Sequence, residues 1–220
     1  MKYLLSVLFT VSTLAVVGQI HTIGMFVGRN KTTAFPIKGS EPVYSTARTS
    51  YGITYEYKTN NHVTIGAEFF YDQRGYEQLS AKNHYAQTIE TIYFIEKFNF
   101  DYLSLPIKAG STFGKKVYGF WNIGWTPAVL VKAEKIGPIW DYSDNIIGEK
   151  KWDMTKSYDK FDMSMLVEFG GGLNLKDGIW FYTSIMARLS PSITKRVCCE
   201  RSFRHGGALL SVGMKFNLMK

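Results

Sequence analysis

The sequence predicts an all-β protein, an eight-stranded antiparallel up-and-down barrel closed within a membrane. Three observations predict it: apolar residues recur at every second position in run after run, tight turns alternate with long polar connections, and the chain opens with an export-type segment. Composition removes the main competitors. With 45% hydrophobic and 15% aromatic residues in 220, the chain is too apolar for disorder. Its mean hydropathy of -0.10 does not allow several spanning helices, each of which needs ~20 consecutive apolar residues. Cysteine occurs only as the adjacent pair Cys198 and Cys199, which provides neither a disulfide framework nor spaced metal ligands. The net charge of +8 is spread along the chain and forms no stripe, so no nucleic-acid partner is expected.

Lys2 precedes a short apolar run that ends in the small residues before Gly18, so residues 1–18 read as a cleaved signal peptide and residues 19–220 as one barrel domain. Ile23, Met25 and Val27 alternate with Gly24, Phe26 and Gly28 in a first strand. Two strands follow as a hairpin about Thr59-Asn60-Asn61. Tyr51, Ile53, Tyr55 and Tyr57 form one face of the first, and Val63, Ile65, Ala67, Phe69 and Tyr71 continue that face in the second. Another hairpin joins 98–111 to 117–131 across Thr112 to Lys115, with Val117, Trp121, Ile123, Trp125 and Val129 on one side. Phe161 to Lys176 and Ile179 to Ser190 pair about Asp177-Gly178. The last strand sets Ala208, Leu210, Val212, Met214, Phe216 and Leu218 against Leu209, Ser211, Gly213, Lys215 and Asn217. The connections 30–43, 73–97, 133–160 and 191–204 read as long polar loops on one side of the sheet, opposite the short turns.

Alternation alone also fits a soluble lipocalin-like barrel. The polar face decides against it, because it consists of Gly, Ser, Thr and Asn with single charges, which suits a narrow lumen. The apolar face carries Tyr55, Tyr57, Trp121, Trp125 and Phe216, aromatics that suit the interfaces of a bilayer. Lipid offers no partner to backbone N–H and C=O groups, so such a sheet must close on itself.

The segment Phe100-Asp101-Tyr102-Leu103-Ser104-Leu105-Pro106-Ile107-Lys108-Ala109-Gly110 resembles the YLxxPLxxK strand of the PorT-like outer-membrane β-barrel family. Asn122-Ile123-Gly124-Trp125 and the closing Leu210 to Phe216 are similar to the same family. The resemblance implies a Gram-negative outer-membrane barrel with both termini in the periplasm, related to a protein associated with secretion. Ser104 stands where many members carry an acidic residue.

Glu56, Glu68, Lys108, Glu168, Arg188 and Lys215 fall on the inward phase and are expected to pair as a lumenal polar network, since unpaired charge in so narrow a space is costly. Lys195, Arg196, Arg201 and Arg204 cluster near the outer rim as a candidate contact for lipopolysaccharide phosphates, and Cys198 with Cys199 as a candidate loop disulfide. Trp140, Tyr142 and Trp152 mark the third long loop as a contact surface or a lid. Ser190 or Ser202 with His205 and Glu200 is the nearest approach to a nucleophile and base, and His84 lies in another loop, but no spacing marks a catalytic elbow. The expectation is a non-enzymatic protein without metal or cofactor that presents loops to envelope or secretion partners and contacts outer-membrane lipid. A narrow channel is the alternative, and an outer-membrane hydrolase a more remote one.

Overall fold

A computed structural model describes residues 20–36, 42–59, 63–83, 91–141, 145–175, 178–190, 194–196 and 199–218. The signal segment at 1–18 lies outside them. The strands are β1 (Ile20–Pro36), β2 (Val43–Lys58), β3 (Val63–Asn83), β4 (Thr91–Ser104), β5 (Ile107–Gly114), β6 (Val117–Trp140), β7 (Ile146–Asp153), β8 (Phe161–Asn174), β9 (Ile179–Leu189), β10 (Thr194–Arg196) and β11 (Cys199–Asn217). β1 pairs with β2 on one side and β11 on the other, so the antiparallel sheet closes. Eight crossings form the ring, β4 and β5 counting as one: Glu68 N–H bonds to the Pro106 carbonyl and Leu105 N–H to the Pro127 carbonyl across their junction. Those bonds keep the backbone satisfied at a proline inside the wall, as lipid requires.

Closure has a measurable stagger. Asn30 pairs with Leu209, and the partners then run through Met186, Glu168, Asn122, Gly110, Thr64 and Lys58 to Ile20, on the same strand as the starting point but ten residues lower. With ~3.3 Å per residue and ~4.8 Å between strands, that stagger tilts the strands by about 40°. Residues at one height therefore advance by a little more than one position per strand, which decides which side chains meet in the lumen.

The alternation resolves into an apolar outside and a polar inside. Met25 is 61% exposed, Ile123 54% and Phe169 62%, whereas Asp72, Ser104 and Thr126 are 0% exposed and Glu168 1%. Large inward side chains face small ones on neighbouring strands. Phe26 and Phe70 both lie opposite Gly52, where a Cβ would stand 2.2 Å from that of Phe70. Phe120 faces Gly170 in the same manner.

The start of β1, the end of β11 and the short turns share one end. Thr59 N–H bonds to the Val63 carbonyl at 2.9 Å, and β5 passes to β6 through Lys115-Lys116 after Gly114, whose φ of +91° suits a residue without Cβ. That turn lies one to two residues beyond the Thr112 to Lys115 expectation. The long side departs further from the sequence reading. Most of 73–97 is strand, because β3 continues to Asn83 and pairs with β4 from Thr91. Most of 133–160 is also ordered: β6 extends to Trp140, β7 pairs back on it, and a 3-10 turn at Thr155–Ser157 returns the chain to β8. β4 and β6 remain paired up to Lys97 and Ile136, so β3, β4, β6 and β7 form a wall rising above the rim.

Candidate functional site

The lumen is filled by three tiers of charge separated by aromatic rings. In the tier nearest the short turns, Lys215 Nζ lies 2.6 Å from Glu56 Oε1, 4.2 Å from the centre of the Tyr182 ring and 5.0 Å from that of Phe120. A cavity of about 40 Å³ opens beside this pair, against Lys58, Tyr118, Asn122 and Trp180.

In the middle tier Lys108 Nζ donates to Glu68 Oε1 and to Glu168 Oε2, each at 2.6 Å, and Asn122 Nδ2 donates to Glu168 Oε2 at 2.8 Å. All four side chains are buried. The register makes the room: Lys108 pairs with Gly66 on one side and Gly124 on the other.

The upper tier centres on Asp72. Arg188 donates to both its oxygens, at 2.6 and 3.1 Å, and Arg74 Nε donates to Oδ2 at 2.7 Å. Asn30, Ser50 and Ser104 donate to the same carboxylate at 2.8, 3.1 and 3.1 Å. Arg74 Nη1 bonds on to Asp162 at 2.6 Å, and the Ser190 hydroxyl donates to that aspartate at 2.6 Å. Such bidentate, charge-assisted bonding repays part of the cost of taking four charges out of water. Arg74 also lies 4.4 Å from the centre of the Tyr102 ring.

Above this tier the mouth is closed by packed rings. Phe100 meets Tyr158 edge-on at 5.0 Å and His205 at 5.2 Å, and Tyr76 stacks on Phe98 at 4.8 Å. The Tyr102 hydroxyl lies 3.4 Å from His205 Nε2. Tyr158 arrives from the 3-10 turn, which the Ala133 N–H to Thr155 Oγ1 bond and the Met154 N–H to Ala133 carbonyl bond tie to β6. A gap of about 10 Å³ remains beneath, against Arg74, Arg188 and His205.

The six lumenal residues read from sequence thus occupy all three tiers, and three charged partners absent from that reading, Asp72, Arg74 and Asp162, complete them, with Asn30, Ser50, Ser104, Asn122 and Ser190 donating hydrogen bonds. Asp72 and Asp162 stood on the polar phase of their strands, whereas Arg74 lay in a stretch read as loop. Ser104, the family departure, donates to Asp72. At the rim, Arg204 is exposed on β11 and Lys195 and Arg196 form part of β10, whereas the side chains of Lys195, Arg196 and Arg201 lie outside the described residues. Cys198 lies outside them too, as do His84, Tyr142 and the side chains of Cys199, Glu200 and Ser202. Trp140 packs edge-on against Phe94 at 5.5 Å, and the Trp152 ring lies about 6 Å from both Lys135 and Lys150. Among the described residues no cluster of three His, Cys, Asp or Glu side chains is arranged for a metal.

A closed antiparallel ring with greasy residues outside and bonded charge inside defines a transmembrane β-barrel. Residues 21–194 match the family described as outer membrane protein beta-barrel domain, and the chain belongs to that family, an outer-membrane protein. Solved structures similar to it include Neisserial surface protein A (10% identity, TM-score 0.47, 91% of this chain and 99% of that one) and OprG from Pseudomonas aeruginosa (7%, 0.46, 92% and 97%). The Ail attachment invasion locus protein of Yersinia pestis is also similar (12%, 0.41, 89% and 98%). No curated protein sequence matches the chain.

Proposed function

We propose that this barrel is a sealed anchor that presents the wall of β3, β4, β6 and β7 to a protein partner in the envelope, with the PorT-like resemblance pointing to a secretion-related one. The observation that carries the reading is the filled lumen: among the described residues three tiers of ion pairs and a ring-packed mouth occupy the axis, with cavities of about 40 and 10 Å³ beside them. A solute path needs a continuous gap, whereas separate gaps of this size hold one to a few waters, at about 10 to 15 Å³ each on this measure. An eight-stranded barrel whose interior is bonded in this way holds position rather than conducts. What the fold offers outside is the wall, with Tyr93 66% exposed, Ile146 57% and Ile147 64%. Exposed apolar groups on an ordered sheet, beside Lys150 and Trp152, make a contact surface of the kind partners use. The reading also includes outer-membrane lipid as a neighbour at the cationic rim. The test is deletion of Ile139 to Lys151 with the barrel still heat-modifiable on gels. Loss of cross-linking to envelope proteins supports the reading, and unchanged cross-linking overturns it.

A further inference from the structure

The outward face of β1 changes character abruptly. Ile23, Met25 and Val27 are exposed apolar residues at lipid level, and the next two outward positions are Arg29 and Lys31, both exposed. Arg29 stands one outward position above the row Val27–Tyr51–Tyr71, where the two tyrosine rings lie 5.6 Å apart. Paired aromatics at the top of an apolar band mark the outer interface of the bilayer. The cations therefore sit at headgroup height and not in the loops.

Their surroundings form a shallow seat. In register, Lys31 is flanked by Ala47 on β2 and Ala208 on β11, so small side chains floor the patch there, while Arg29 lies between Thr49 and the apolar Leu210. Arg29 leans across β2, its Nη2 3.4 Å from the Ala47 carbonyl. Phe35 lies over Gly206 and closes the upper side, and exposed Arg204 pairs with Phe35 in register. Among the described residues no carboxylate pairs with Arg29, Lys31 or Arg204, in contrast to Lys132 with Glu134 and Lys135 with Glu96 on the wall.

We propose that the β11–β1–β2 face binds the phosphorylated headgroup of an outer-leaflet glycolipid of the lipid A type, with Arg29 and Lys31 on a phosphate and acyl chains along Met25, Val27, Leu210 and Val212. A guanidinium and an ammonium at one height match a phosphate by charge-assisted bonds, and the greasy wall directly beneath matches the chains of the same molecule. This inference rests on the outer-membrane placement and is independent of the loop partner; it adds a lipid contact on the barrel wall to the one read at the rim cations.

The test uses the full barrel refolded in detergent and mixed with lipid A, with phosphatidylglycerol as the plain anionic comparison, and native mass spectrometry counts retained lipid. The expected result is retention of lipid A by the wild type, a drop of tenfold or more in Arg29→Ala/Lys31→Ala, and recovery in Arg29→Lys/Lys31→Arg. A control, Lys115→Ala/Lys116→Ala in the opposite turn, retains lipid as the wild type does. Equal retention by the alanine pair and the wild type overturns the site, and so does equal loss in the turn control. Equal retention of phosphatidylglycerol and lipid A overturns the glycolipid assignment. Heat-modifiable migration of every variant separates lost binding from lost folding.

Discussion

Lys108→Met is the sharpest perturbation of the lumen. Lys108 lies 2.6 Å from one carboxylate oxygen of Glu68 and 2.6 Å from one of Glu168. At an effective dielectric of ~20 each contact is worth about 6 kcal/mol of gross attraction, and the two carboxylate oxygens, at most 5.2 Å apart since each lies 2.6 Å from the ammonium, repel by at least about 3 kcal/mol. Most of that gross gain offsets desolvation in the folded barrel, so the net loss on removing the cation is set by what remains: two buried carboxylates with no counter-ion. Breaking a buried pair in this way costs about 3 to 5 kcal/mol. Methionine preserves most of the volume, so cavity formation adds little. The assay is urea unfolding in lipid vesicles, followed by the gel shift between folded and unfolded forms. The triple variant Lys108→Met/Glu68→Gln/Glu168→Gln removes all three charges together and is expected to recover more than half of the loss. A change below about 1 kcal/mol in Lys108→Met, or a triple variant no better than the single one, refutes the view that these charges hold each other in place.

Other consequences follow from the same packing. Asp72→Ala leaves Arg74 and Arg188 without their shared carboxylate and is expected to destabilise the barrel by about 3 to 5 kcal/mol in the same unfolding assay, with Asp72→Asn intermediate. Gly52→Val places side-chain atoms on Phe70, where even a Cβ comes within 2.2 Å, and refolding yield into vesicles should fall sharply, while Gly148→Val, where a Cβ meets nothing within 4 Å, leaves yield unchanged. Outside the membrane, the Thr155 hydroxyl and N–H both donate to Asp153, at 2.6 and 2.9 Å, and hold its carboxyl below the ordinary value of 3.8. A depressed folded value means that this tie is present above 3.8 and is lost as pH falls through the lower folded value, so amide exchange at Thr155 should accelerate only under strongly acid conditions. Asp153→Asn should abolish that pH dependence.

The strands were legible because lipid outside and packed polar groups inside impose opposite demands on successive residues, and Leu210, Val212 and Met214 against Ser211, Gly213 and Lys215 show both demands in one run. The wall was not legible. Above the bilayer both faces of a strand meet water or protein, so the alternation of Glu77, Leu79, Glu96 and Phe98 no longer separates greasy from polar, and length with charge reads as loop. The upper tier was only partly legible, for a different reason. Arg188 read as inward, but its partners Asp72, Arg74 and Asp162 come from β3 and β8, and only the ten-residue stagger of the closed sheet brings them to the height of Arg188 on β9. No spacing along the chain encodes that meeting, although Asp72 and Asp162 already stood on the inward phase, where an acidic residue demands a cation.

The filled lumen is tested most directly by single-channel recording of the purified full barrel in planar bilayers. The account predicts a flat trace at the leak level, with the tiers around Lys108 and Asp72 intact and folded protein confirmed by gel shift from the same preparation. Stable, reproducible conductance steps from the wild-type protein would contradict it and make the barrel a channel.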